Sequence, residues 1–101
     1  MVTFQNMHCR KRADGWLLTF SEMNGVDRHA LHRSNGFPAK ITSDVNCASG
    51  DMTIEVSDGA MCKKVPLGRT MMPLAEFGDG EIVVMIIAQG AVDGKVRLSW
   101  Q

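Results

Sequence analysis

The last quarter of the chain carries the strand-length apolar run Ile82-Val83-Val84-Met85-Ile86-Ile87-Ala88. It is followed by Gly90-Ala91-Val92-Asp93-Gly94 and then by the alternating stretch Lys95-Val96-Arg97-Leu98-Ser99-Trp100. Two extended segments joined by a short Gly and Asp turn read as a β-hairpin. Val96, Leu98 and Trp100 then lie on one face and Lys95, Arg97 and Ser99 on the other. A chain that ends in sheet is constrained to a β-containing class. If half of the apolar run faces outward, it needs a cover, either a second copy or a partner protein.

The rest of the sequence adds further strands. Between a loosely alternating start (Val2, Phe4, Met7) and the apolar run Trp16-Leu17-Leu18-Thr19-Phe20 lies Arg10-Lys11-Arg12-Ala13-Asp14-Gly15, whose Asp-Gly end signals a turn. Residues 22–38 are rich in Gly, Asn, Ser, His and Arg and predict a long loop with one helical turn around Asp27 to Leu31. Ala39, Ile41 and Val45 suggest a strand. Met52, Ile54 and Val56 then alternate with polar residues in the period-two pattern of a half-buried strand. Ser57-Asp58-Gly59 turns into a further strand from Met61 to Val65, and residues 66–80, punctuated by Pro and Gly, leave room for at most a short helix. The sum predicts one mainly β domain over residues 1–101, a small six- to seven-stranded antiparallel barrel with little helix. Its core is expected to draw on Trp16, Phe20, Ile41, Ile54, Val56, Val84, Ile86, Val96, Leu98 and Trp100.

Composition excludes several function classes. A chain of 101 residues with 45% hydrophobic and 22% charged content buries about 60 to 65% of its unfolded surface without a metal or disulfide. Eleven Lys and Arg balance eleven Asp and Glu, which argues against a nucleic-acid binder relying on a broad basic field and leaves only a local basic patch. The start has no signal-peptide pattern and no apolar run is long enough to span a bilayer. With three well-separated cysteines, Cys9, Cys47 and Cys62, the expectation is a cytoplasmic protein with reduced thiols. Eight methionines suit gap-filling in the core or, alternatively, a partner surface.

Three constellations could carry chemistry. Arg10 and Arg12, with Lys11 between them and His8 before, could grip phosphate oxygens and stack on a purine; the plainer reading is a solvated turn between strands. In the second, Asp44, Asn46, Ser49 and Gly50 offer short polar side chains and a glycine that lets a backbone approach a ligand; the plainer reading is a β-bulge. The third, His29 and His32, would share one face of a helix as half a metal site, but no Cys or carboxylate at zinc spacing completes it. No nucleophile with its base, P-loop or Cys-x-x-Cys pair occurs, so neither an enzyme nor a cofactor is expected.

Taken together, Arg10 and Arg12, the segment from Asp44 to Gly50, Met52 to Val56, Pro73-Leu74, Gly80-Glu81-Ile82 and Gly94-Lys95-Val96 to Trp100 resemble the PilZ domain family. The resemblance implies a six-stranded barrel that binds cyclic di-GMP, the arginines holding phosphate and guanine and the second motif reading the other edge. Here the arginines are separated by one residue where the family has three, and Asn46 stands where the family has serine. A degenerate member acting through protein-protein contact is therefore a further outcome. A second likeness is to the HPr phosphocarriers, through Leu31-His32-Arg33, Lys64-Val65-Pro66-Leu67-Gly68, Met71 to Ala75 and Gly80-Glu81-Ile82 to Gly90; it would make His32 the phosphoacceptor. The third reading needs no family: a small phage-encoded or regulatory module that docks on another protein.

Overall fold

The computed structural model describes residues 2–101 and contains eight strands and no helix among them: β1 (Thr3–Gln5), β2 (His8–Arg12), β3 (Gly15–Arg33), β4 (Lys40–Asn46), β5 (Ser49–Ser57), β6 (Cys62–Val65), β7 (Gly68–Pro73) and β8 (Gly80–Trp100). Every pairing is antiparallel and all strands belong to one sheet. The expected class, a small mainly β antiparallel domain, is the class observed. The arrangement is barrel-like but the sheet does not close: its β1–β2 edge and its β6–β7 edge are not paired with each other.

The registers reveal a simpler plan than eight strands suggest. β8 is the central strand and pairs with β3 along nearly its whole length. On its other side β4 covers residues 95–100 and β5 covers residues 83–92, so β4 and β5 form one interrupted strand alongside β8. β7 and β6 repeat this arrangement outside β4 and β5, and β2 and β1 flank the first half of β3. The sheet thus has a lower half (β2, residues 15–20 of β3, residues 94–100 of β8, β4, β7) and an upper half (residues 25–33 of β3, residues 80–88 of β8, β5, β6).

The two halves fold over one another. Nineteen residues of straight strand would span about 63 Å, yet the whole molecule measures 38 × 25 × 19 Å. Trp16 and His29 lie thirteen positions apart on the same strand, and their rings are 5.1 Å centroid to centroid. Such a reversal within strands requires bulges at the bend. The register slips between Met23 and Gly25 on β3 and between Ser49 and Asp51 on β5, and on β8 Gly90 (φ 61°) and Asp93 (φ 50°) adopt left-handed backbone. Gly94 is required for a different reason: a Cβ there would fall 2.0 Å from the Phe20 ring, which lies across its Cα.

The inward faces supply the core. Leu18, Met23, Ile41, Val45, Ile54, Val56, Ile82, Val84, Ile86, Val96 and Leu98 are buried in one cluster, closed at one end by the edge-on pair Trp16 and Trp100, whose centroids are 4.8 Å apart. All ten core residues expected from the sequence are in it. The buried Arg33 joins the two connections that cap the fold: Nε donates to Pro38 O (3.0 Å) and Nη1 to Phe77 O, with Asp79 at 3.9 Å. Asp58 fixes the β5–β6 turn by accepting from the amides of Ala60 (2.9 Å), Met61 (2.7 Å) and Gly78 (2.9 Å).

Two local expectations are corrected. Residues 90–94 do not turn the chain back; β8 passes through them as one bent strand, because Gly and Asp supply left-handed bulge conformations as readily as hairpin turns. Residues 22–33 are neither loop nor helical turn but the second half of β3, their polar character arising because this edge strand is exposed outward and its inward positions are partly open. The turns at residues 13–14 and at Ser57-Asp58-Gly59 are as expected.

Candidate functional site

Cross-strand partners share a face, so the registers specify which side chains stand together on the outer surface of the lower half. One row reads Arg10, Leu17, Arg97, Asp44, Arg69 across β2, β3, β8, β4 and β7. The row on one side reads Arg12, Gly15, Ser99, Thr42, Met71, and the row on the other reads His8, Thr19, Lys95, Asn46. Gly15 has no side chain to raise this surface and so leaves a gap in it, while its backbone packs so closely on β8 that a Cβ there would meet Leu98 O at 2.5 Å. Around that gap is a depression of about 310 Å³ bordered by Arg10, Arg12, Asp14, Leu17, Arg97 and Ser99. A smaller one of about 130 Å³, bordered by Thr42, Asp44 and Arg69, adjoins it and shares Arg97 and Ser99.

Local folding explains why these arginines stand free. The β2–β3 hairpin sends odd residues of β2 inward, where Lys11 Nζ lies 5.8 Å from the Trp16 ring centroid, and even residues outward. Arg97 alternates with the buried Val96 and Leu98 and must point out. None of Arg10, Arg12, Arg69, Lys95 or Arg97 takes part in an ion pair among the described residues. Guanidinium groups without a carboxylate partner keep their donors free for a ligand.

The residues anticipated from the sequence divide into two groups. Arg10, Arg12, Asp44 and Asn46 share this outer face, but Asp44 stands three strands from Arg10, about 14 Å by strand spacing. Ser49 and Gly50 lie at the bend, in the β-bulge that was the plainer reading of their segment. Gly50 (φ 82°) packs so closely on β8 that a Cβ would sit 2.1 Å from Gly90 O. Its glycine is explained by strand packing rather than by ligand approach. Sequence reasoning missed Arg97, Arg69, Ser99 and the gap at Gly15. The outward alternation of Lys95, Arg97 and Ser99 was legible, but which strand lies beside them was not.

The histidines are separated. His29 faces inward with Nε2 2.8 Å from Asp27 Oδ2 and a buried Nδ1 that has no partner among the described residues, whereas His32 is exposed on the opposite face, level with Glu81. The half metal site that a helix would have formed is therefore absent, and no cluster of three His, Cys, Asp or Glu among the described residues could hold a metal ion. On the outer face of the upper half Val83, Met85 and Ile87 form a half-buried apolar strip beside the exposed Val26. No helix is long and apolar enough to cross a membrane among the described residues. No protein-family model matches the chain, and neither the curated proteins nor the solved structures hold a match to it.

Proposed function

We propose that the chain is a non-enzymatic binding domain for a phosphate-bearing ligand, of which a cyclic dinucleotide such as cyclic di-GMP is the first to test. The observation that carries this reading is the group of three arginines, Arg10, Arg12 and Arg97, unpaired around the depression over Gly15. Charged forks that converge on a concave surface bind phosphate oxygens bidentately, and about 310 Å³ is at the small end of the range for small-molecule and cofactor sites. The adjoining depression offers Arg69 to a second phosphate and the Asp44 carboxylate to an amino or hydroxyl donor. Arg97, common to both, is the residue on which a two-phosphate ligand depends most.

Calorimetric titration with cyclic di-GMP provides the test. Saturable binding to the parent, weakened at least tenfold in Arg97→Ala and unchanged in Asp51→Ala at the bend, supports the reading. Equal affinity in the parent and Arg97→Ala, or no binding of this or any other phosphate-bearing nucleotide, removes it.

A further inference from the structure

We infer that the lower outer face binds the phosphate backbone of a double-stranded nucleic acid, a conclusion that rests on the anion site proposed above and enlarges it. The sequence-wide charge balance of eleven cations and eleven anions conceals how the sheet distributes them. The three outward rows described above hold Arg10, Arg12, Arg69, Lys95 and Arg97 together with His8, against the single carboxylate of Asp44. Asp14 stands at the neighbouring turn, and the other nine carboxylates belong to the bend, the upper half and its connections. The field over this face is therefore positive although the molecule is neutral.

Spacing extends the argument beyond a small ligand. The cations occupy alternate strands β2, β8 and β7, so their columns lie about 10 Å apart and the band is about 19 Å wide. Within β2 and within β8 successive cations are about 6.6 Å apart, two residues of extended chain. A dinucleotide fills one depression and reaches Arg69, leaving Lys95 and His8 without a function. A duplex carries one charge per roughly 1.7 Å of axis, so about 19 Å of it holds about eleven phosphates, of which those on the side facing the sheet are within reach of the five cations.

The chemistry of the face also selects the form of nucleic acid. Single strands are held chiefly by stacking bases on broad aromatic side chains, and the three rows contain no Phe, Tyr or Trp: Trp16, Phe20 and Trp100 all point into the core. A duplex turns its bases inward and presents phosphates, which these side chains match without reading sequence.

Fluorescence anisotropy with a short labelled duplex, an oligo-dT single strand and a series of salt concentrations tests the inference. Five cations on five phosphates give a slope of log affinity against log salt of about −4.5, and Arg69→Ala and Lys95→Ala each bring it about 1 closer to zero. Lys64→Ala, outward on the upper half beside Glu55, leaves it unchanged. A slope no steeper than about −1, tighter binding of oligo-dT than of duplex, or equal effects of Arg69→Ala and Lys64→Ala overturns the inference. Cyclic di-GMP separates its failure from that of the smaller site. Dinucleotide binding sensitive to Arg97→Ala but not to Lys95→Ala, with no duplex binding, overturns only the extension, whereas absence of both overturns the two together.

Discussion

Among the described residues Asp58 accepts more backbone amides than any other carboxylate. Its two oxygens accept three backbone amides, from Ala60, Met61 and Gly78, and the Gly78 bond, the largest influence, holds its pKa below the ordinary 3.8. A carboxyl whose folded pKa is depressed contributes stability that is full above its unfolded value and is lost as pH falls through the folded one. Asp58→Ala is therefore expected to lower Tm at neutral pH, with the difference from the parent shrinking as pH falls below about 3.8. A Tm difference that stays constant to the lowest pH at which the parent remains folded contradicts this role. Glu76, held low by its hydrogen bond to Lys63 (2.7 Å), adds to the same acid sensitivity. At this scale the sequence was readable where a residue type has one use, as in the Ser57-Asp58-Gly59 turn. It was ambiguous where it has several: Gly50 suits a ligand contact as well as a bulge, and only the approach of Gly90 distinguishes them.

At the scale of elements, the long strands are governed by their bends. Buried positions on β8 run evenly from Ile82 to Ala88, step by three to Ala91 and again to Gly94, and then resume at Val96, Leu98 and Trp100. Those two steps keep one face inward while the strand changes direction. Phe20 covers Gly94 at the second step, so a side chain there must displace a buried ring. Gly94→Ala is expected to cost about 1 to 3 kcal/mol in urea denaturation, as overpacking does. Shrinking the ring in Phe20→Leu with Gly94→Ala should make the pair less costly than the sum of the single changes. Strict additivity, or an unchanged midpoint in Gly94→Ala, would show that the ring is not seated on this glycine. The period-two signal made the strand character and inward face of residues 95–100 legible in advance. It could not separate a hairpin turn from a double bulge, because both call for left-handed Gly and Asp within a few residues. Residues 22–33 were misread because an outer strand with one free edge has little apolar periodicity to display, as Asp27, Arg28, His29 and His32 show.

For the whole molecule, folding one sheet over itself produces two outer surfaces of different chemistry from a chain of zero net charge. The lower surface collects Arg10, Arg12, Arg69, Lys95 and Arg97, and the upper surface carries the apolar strip of Val83, Met85 and Ile87. The sequence supplied the first two of those arginines as a cluster and missed the other three cations because they are distant in the chain. Their convergence is a property of strand order, which composition and spacing do not encode. The placement of Arg97 between Arg10 and Asp44 depends on β8 continuing unreversed through residues 90–94, with β3 on one side and β4 on the other. Cross-strand nuclear Overhauser contacts measure this directly. The fold requires contacts from residue 97 to both residue 17 and residue 44, together with contacts between residues 86 and 54. Contacts between residues 82–88 and residues 95–100 in a hairpin register would contradict it and would disperse the basic face.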